Sequence, residues 1–203
     1  MENDPSLSPI ETHSAAVLIP IKAFINAKVR LANILDTNQR QALAKRMAMQ
    51  VISAAGALGV YVVCDNEEVK EWSMLQGAEV IFTPGLGLNG AVEHGVKALC
   101  AQGIKRVIVS HADLPLAKDL PTLVASQQNS ITLVPDRIKD GTNVVVIPSD
   151  IGFRFSYGPG SFLAHCKEVK RLGCALVVKE DPSLTLDVDL PSDLAHIPTT
   201  WMD

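Results

Sequence analysis

Short apolar runs alternate with longer amphipathic segments along most of this chain. Short apolar runs bounded by Gly, Pro, Asn or Asp are typical of strands, whereas apolar residues at i, i+4 and i+7 are typical of helices. We therefore predict strands at Ala15–Ile21, Val60–Cys64, Ala78–Phe82, Arg106–Ser110, Ile131–Val134, Val144–Ile147, Ala175–Val178 and Leu184–Val188. We predict helices from Asp36 to about Ala57, from Asn66 to Leu75, at Ala91–Ala101, Asp119–Gln127 and Phe162–Leu172, and a last short helix capped by Ser192. This alternation predicts a three-layer α/β/α domain with a mostly parallel mixed sheet.

The composition narrows the class of protein. A chain of 203 residues that is 47% hydrophobic fits one compact domain, which we place at residues 15–203, after a flexible tail at residues 1–14. The net charge is −4 and no basic stripe is present, which argues against a nucleic-acid partner. No apolar stretch approaches the ~20 residues of a membrane helix, and the tail lacks the features of a secretion signal. We expect a cytoplasmic protein whose four cysteines are small buried hydrophobes in a reduced compartment.

Two apolar runs end in aspartate and are followed directly by Leu-Pro. Asp113 ends one such run, and Asp187 and Asp189 end the other. Ligands of open α/β sheets bind outside the carboxyl ends of the strands, so these side chains are expected where function usually lies. On a strand, residues i and i+2 face the same side, so Asp187 and Asp189 would need a positive partner between them. A divalent metal ion is the natural candidate.

A basic loop follows the first predicted strand. Lys22, Lys28 and Arg30 lie within nine residues, among small or apolar neighbours. A triphosphate needs such a cluster, because Arg can hold two oxygens at once and Lys supplies a point charge. Cations for phosphates beside carboxylates for metal are typical of phosphoryl or nucleotidyl transfer.

Two further loops indicate a second anion site. They are Gly141-Thr142-Asn143 and Tyr157-Gly158-Pro159-Gly160-Ser161, and the second leads directly into a predicted helix. Backbone N–H groups at a helix N-terminus favour an anion, although an ordinary turn with an N-cap serine explains the same pattern.

The segment from Gly85 to Gly90 matches the pattern G-x-G-x-x-G. It follows a predicted strand and opens a helix, as a dinucleotide-binding fingerprint does. Two strand units precede it, however, whereas that fingerprint belongs to the first βα turn of its fold. An NAD-binding protein therefore remains an alternative and not the main interpretation.

Taken together, these motifs resemble the 2-phospho-L-lactate guanylyltransferase family of coenzyme F-420 biosynthesis. The matching elements run from Val17 to Leu194: Pro20-x-Lys22, Ala27-Lys28-x-Arg30-Leu31, Gly87-Leu88-Asn89, Ala112-Asp113-Leu114-Pro115, Gly141-Thr142-Asn143, Tyr157–Ser161 and Asp187-Val188-Asp189. The resemblance implies a GT-A-like nucleotidyltransferase fold and transfer of GMP from GTP to 2-phospholactate, phosphoenolpyruvate or 3-phosphoglycerate. His111 departs from the apolar residues that the family pattern leads us to expect, and so inherits no role.

The resemblance also assigns roles to residues. It implies that Asp113, Asp187 and Asp189 hold Mg²⁺, for which we expect two ions, and that Thr142, Gly158 and Ser161 hold the phosphorylated acid. Pro20, Lys22, Lys28, Arg30, Gly87 and Asn89 are expected to bind GTP. The sequence leaves open which acid is accepted, whether the protein is a homodimer, and whether it is instead another small-molecule nucleotidyltransferase of the sugar-phosphate or molybdopterin type.

Overall fold

The computed structural model describes residues 14–124, 129–198 and 201. Seven strands form one sheet in this part of the chain: β1 Ala15–Pro20, β2 Gly59–Cys64, β3 Glu79–Phe82, β4 Arg106–Ser110, β5 Ser130–Pro135, β6 Thr142–Pro148 and β7 Ala175–Val178. Their order across the sheet is β3-β2-β1-β4-β6-β5-β7. β6 pairs antiparallel with both of its neighbours, and the other pairs are parallel. The predicted mixed, mostly parallel sheet is confirmed.

Helices cover both faces of the sheet. They are α1 Thr37–Ala54, α2 Glu67–Leu75, α3 Gly87–Ala101, α4 Ser161–Arg171 and the short α5 Pro182–Thr185. Alternate residues of β1 point to opposite faces, so Val17 packs in the core with α1 and α2 while Leu18 packs with α3 and α4. The three-layer prediction is therefore correct.

Local sequence signals fix several helix ends. Asp36 accepts a hydrogen bond from the backbone of Gln39, and the Gln39 side chain accepts one from the Asp36 backbone, which caps α1 at its predicted start. Asn66 caps α2 through Val69 N–H. In α3, a Cβ on Gly95 would lie 2.8 Å from Leu18 and Val63, so glycine permits this helix to lie directly on the sheet.

The predicted strand Leu184–Val188 is wrong. Asp181 accepts hydrogen bonds from the Ser183 backbone and hydroxyl, and Pro182 fits the first helical position, so the run begins with α5. Residues 187–189 belong to no helix or strand. Leu184 and Val188 are nevertheless buried. The alternation of apolar residues in this run therefore reflects their burial in the core and not pairing in the sheet.

Three other predicted segments differ in detail. A 3₁₀ helix at Leu120–Leu123 replaces the start of the predicted helix Asp119–Gln127, whose residues 125–127 lie outside the described part of the chain. The last 3₁₀ helix begins at Pro191, so Ser192 lies inside it and does not cap it. The predicted tail at residues 1–14 is outside the described residues except for Ser14.

Two further predictions concern cysteines and membranes. All four cysteines are free, but only Cys64 is fully buried, so the prediction of buried cysteines is right for that residue alone. In the described ranges, every helix is too short or too polar to cross a membrane.

Candidate active site

A cavity of about 690 Å³ opens at the carboxyl ends of the parallel strands. The loop after β1 forms one wall of it, and the start of α3 and the segment after β4 form others. The lining includes Pro20, Lys22, Lys28, Arg30, Asp65, Thr83, Gly87, His111, Asp113 and Asp189. Seven of the predicted site residues therefore meet in one cavity. Asp187, Asn89, Thr142, Gly158 and Ser161 do not line it.

The basic loop is held in place by its apolar residues. Phe24 and Leu31 are buried, and each belongs to a single 3₁₀ turn, at Phe24–Asn26 and Val29–Leu31. Between the turns, Lys28 adopts a left-handed conformation with φ of 52°, which is uncommon for a residue with a Cβ. The anchored turns therefore fix the direction in which Lys28 leaves the loop.

The Lys28 ammonium bridges two of the three predicted metal ligands. Its Nζ lies 2.6 Å from Asp113 Oδ2 and 3.0 Å from Asp189 Oδ1, and its side chain is only 10% exposed. Burial opposes the charge on Lys28, but Asp113 and Asp189 hold its pKa above the ordinary value. Burial also disfavours ionised Asp113, yet the nearby Lys28 lowers the pKa of that carboxyl. Both groups are thus charged at neutral pH.

Asp187 is placed differently from the other two acids. Burial, reinforced by the negative charges of Asp113 and Asp189, raises the pKa of Asp187 to about 6. Among the described residues, no three His, Cys, Asp or Glu side chains are arranged to hold a metal ion. Lys28 instead supplies the positive partner that the sequence led us to expect between acids, and it does so for Asp113 and Asp189.

Asp193 fixes the backbone that carries Asp189. Its Oδ2 accepts hydrogen bonds from Asp189 N–H at 2.9 Å and Leu190 N–H at 2.7 Å, while its Oδ1 pairs with Arg137. Asn143 holds the preceding segment by donating to the Leu184 carbonyl at 3.0 Å. These contacts place Asp189 beside Lys28 without a strand.

The second predicted cluster lies outside the lining of this cavity. Thr142 begins β6, Ser161 begins α4, and their hydroxyl oxygens are 3.5 Å apart. They are only 1% and 2% exposed. Because β6 runs against its neighbours, its first residue lies at the same sheet edge as the ends of the parallel strands. Gly158 has a φ of 135°, which favours glycine, and its carbonyl accepts from Ser161 N–H.

The N-terminus of α4 already has an anion from the chain itself. Gly160 N–H lies 3.2 Å from both carboxylate oxygens of Asp140, and Phe162 N–H donates to the Asp140 carbonyl. The predicted attraction of negative charge to this helix end is thus satisfied here by Asp140.

Comparison with known proteins identifies the family. The family described as "Guanylyl transferase CofC like" matches residues 15–199. The chain belongs to this family.

Curated relatives cover most of the chain. A phosphoenolpyruvate guanylyltransferase of Rubrobacter xylanophilus is 34% identical over 191 residues, which is 91% of this chain and 93% of the relative. A 2-phospho-L-lactate guanylyltransferase of Methanothermobacter thermautotrophicus is 32% identical over 189 residues, covering 89% of this chain and 82% of the relative. In fold, the chain is similar to a proposed nucleotide-diphospho-sugar transferase of Desulfovibrio desulfuricans, with a TM-score of 0.72 at 15% identity over 90% of this chain and 85% of that one.

Family membership favours the guanylyltransferase interpretation over the dinucleotide-binding alternative. The segment from Gly85 to Gly90 follows β3, which is an edge strand, and its last four residues form the first turn of α3. Asn89, within it, accepts a hydrogen bond from Tyr157 N–H at 2.7 Å and donates to the Tyr157 carbonyl at 3.4 Å. In this structure its amide therefore ties the glycine-rich turn to the loop of Gly158, whereas we had expected it to face the nucleotide.

His111 lies in the cavity wall, although no role for it was predicted from sequence. Its Nδ1 is 3.9 Å from Asp113 Oδ1, and its ring lies 4.9 Å from that of Tyr157. His111 Nε2, Asp113 Oδ1 and the Tyr157 hydroxyl are all buried without a hydrogen-bond partner in the described structure. Native proteins leave few such groups, so His111 and Asp113, which both line the cavity, are candidates for contact with a substrate. The only sequence signal was the position of His111 two residues before Asp113.

Proposed function

We propose that this protein transfers GMP from GTP to the phosphate of a small phosphorylated acid, with release of pyrophosphate, in coenzyme F-420 biosynthesis. Phosphoenolpyruvate and 2-phospholactate are the acids named for its relatives, and 3-phosphoglycerate is a third candidate. The single observation that carries the proposal is the cavity in which Lys22, Lys28 and Arg30 meet Asp113 and Asp189. Phosphates need those cations, and a metal ion needs those carboxylates.

The residues are compatible with a bound magnesium ion. Asp113 Oδ1 is buried without a hydrogen-bond partner, and carboxylate oxygens are the ligands that Mg²⁺ prefers. Asp113 and Asp189 would hold the ion, with Asp187 joining them, and we propose two ions when both substrates are bound. Bound Mg²⁺ would withdraw charge from the phosphates between which the new bond forms.

The basic loop would bind and orient the triphosphate. Arg30 is 72% exposed, so it could exchange its 3.5 Å contact with Asp189 for phosphate oxygens. Lys28 would add its charge from the position that it holds between Asp113 and Asp189. Gly87 and Pro20 would let the nucleotide approach the backbone closely. Asn89 would contribute indirectly, by holding the loop of Tyr157 through its two backbone hydrogen bonds.

The chemistry requires no general base. A phosphate oxygen of the acid, already an anion near neutral pH, would attack the α-phosphorus of GTP in line. A P–O bond forms there while the bond to the β-phosphate oxygen breaks, and pyrophosphate leaves with the electron pair. The principal barrier is repulsion between two anions, so positioning and positive charge are the main contributions of the protein. Thr142, Gly158 and Ser161 would hold the acid beside the nucleotide.

The direct test is an assay of the purified protein with Mg²⁺, one nucleoside triphosphate and one acceptor at a time. We expect pyrophosphate release with GTP and one of the three acids, and little with ATP, CTP or UTP. Release only with a sugar phosphate or with a molybdopterin acceptor would overturn the proposed acceptor class. Omitting the acid separates transfer from simple GTP hydrolysis.

A further inference from the structure

His165 lies directly behind the hydroxyl pair of the second cluster. It is one helical turn after Ser161 in α4, which places both side chains on one face of that helix. The ring is fully buried and lies within 5.1–6.2 Å of the rings of Phe153, Phe155 and Tyr157. Its position is thus fixed by packing, and its two nitrogens have defined partners.

The contact with Ser156 determines which ring nitrogen carries the hydrogen. Ser156 N–H lies 3.0 Å from His165 Nε2, and a backbone amide can only donate. Nε2 therefore accepts and carries no hydrogen. Burial lowers the pKa of His165 to about 4, so the ring is neutral near pH 7. The hydrogen of the neutral ring must then be on Nδ1.

This tautomer sets the direction of the hydrogen bonds at Thr142. His165 Nδ1 lies 3.0 Å from Thr142 Oγ1, so the hydroxyl oxygen of Thr142 accepts from the ring. Thr142 and Ser161 then have two hydroxyl hydrogens between them and one mutual contact, at 3.5 Å. Whichever hydroxyl donates within the pair, one hydrogen is left to donate to a third group.

We propose that His165 is a positioning residue that holds the Thr142–Ser161 pair as a hydrogen-bond donor for an anionic group of the phosphorylated acid. The inference rests on the proposed function, because the anion is the acceptor substrate. A donor pair oriented from behind suits a carboxylate or phosphate, which offers only oxygen lone pairs. The opposite tautomer would let Thr142 donate into the ring and would leave the pair with less to offer an anion.

The tautomer can be measured without any activity assay. In the ¹⁵N-histidine-labelled protein, long-range ¹H–¹⁵N correlation spectra at pH 7 distinguish a protonated from an unprotonated ring nitrogen. We expect the His165 signals, assigned by their loss in His165→Asn, to show an unprotonated Nε2 and a protonated Nδ1. A protonated Nε2 would overturn the inference while leaving the proposed reaction untouched.

Two variants of His165 distinguish its two possible roles, which are to orient the Thr142 hydroxyl and to support the Ser156 backbone. His165→Asn places an amide N–H near the position of Nδ1 and keeps the donor to Thr142. His165→Gln places a carbonyl near the position of Nε2 and keeps the acceptor for Ser156 N–H. We expect KM for the acid to stay within about threefold of wild type in the Asn variant and to rise about tenfold or more in the Gln variant, with KM for GTP unchanged in both.

The control is His94→Asn, which changes an exposed histidine of α3 and should alter neither KM. Equal KM values for the acid in the Asn and Gln variants, or a larger increase in Asn, would show that His165 only supports the backbone of Ser156. If the protein uses none of the three acids, the proposed function fails, whereas the spectra still report the tautomer. The two failures are therefore distinguishable.

Discussion

The two halves of the candidate site differ in charge: one is lined by ionised side chains and the other by neutral ones. Beside β1 and β4, the cavity presents Lys22, Lys28 and Arg30 together with Asp113 and Asp189. Beside β6 and α4, the cluster consists of buried hydroxyls and one neutral imidazole. A large polyanion is bound by several cations in an open cleft, whereas a small acid can be recognised by short, rigid donors. The proposed reaction needs both, at one edge of the same sheet.

The largest expected effect tests the charged half. Asp189→Ala should reduce nucleotidyl transfer by about 10³-fold or more, because the carboxylate opposite Asp113 is lost from the proposed metal site. Folding should be nearly intact, since Asp189 is half exposed. Turnover with saturating GTP, acid and Mg²⁺ measures the loss, and the melting temperature measures stability. Asp150→Ala, at an exposed residue beyond β6, is the matched control. Near-normal turnover of Asp189→Ala would reject the metal assignment.

In the neutral half, the buried His165 should make the free energy of unfolding depend on pH. The pKa of His165 is lowered to about 4 in the folded protein, mainly by burial; the neighbouring His111 also disfavours the charged ring, and Glu168 favours it. The unfolded chain therefore binds more protons between about pH 6.5 and pH 4. His165 should thus contribute full stability above about pH 6.5 and lose up to about 3 kcal/mol as the pH falls to 4.

That contribution is isolated by comparing wild type with His165→Asn in urea unfolding at pH 7 and pH 4.5. Asp187, whose pKa is raised, has the opposite pH slope over part of this range, so the wild-type curve alone does not report His165. A difference between the two proteins that does not change with pH would mean that the ring is not held neutral by burial.

The next largest effect on stability is expected from removing Lys28, which bridges Asp113 and Asp189. Lys28→Met should lower the free energy of unfolding by about 2 kcal/mol, because it leaves the buried Asp113 without its cation and Asp189 with only the exposed Arg30. Added Mg²⁺ should then raise the melting temperature of the variant more than that of the wild type, since the ion replaces the missing charge. Lys70→Met, which removes an exposed pair with Glu67, should cost less than about 0.5 kcal/mol. An equal response of wild type and Lys28→Met to Mg²⁺ would contradict this account.

The smallest expected effect tests whether the acid has its own pocket. Thr142→Val keeps a β-branched residue in β6 but removes the hydroxyl, so KM for the acid should rise about tenfold. KM for GTP should change less than twofold, because the nucleotide is assigned to the other half. Steady-state kinetics with each substrate varied in turn give both values. Equal increases in KM for the acid and KM for GTP would show that both substrates depend on the same pocket.

Much of the fold follows from local pattern. The capping residues Asp36 and Asn66 and the β-branched runs predicted α1, α2 and most strands, because caps and burial act within a few neighbours. The run from Leu184 to Val188 was misassigned because alternating apolar residues are also buried when a chain crosses a core without pairing. Its true partner is Asn143, some forty residues away, and no local signal shows that contact.

Ligands of open α/β sheets bind at the carboxyl ends of the strands, and this rule predicted from sequence alone that Asp113 lies near the basic loop. The resemblance in motifs predicted the family to which the chain belongs. Sequence could not show that Lys28 would lie between Asp113 and Asp189, nor that Asn89 would bind the Tyr157 backbone. Nor could it show that the reversed direction of β6 brings Thr142 to the ligand edge, or that Ser156 selects the tautomer of His165. These features depend on groups far apart in the chain meeting at distances near 3 Å, and only the packed sheet and helices set such distances.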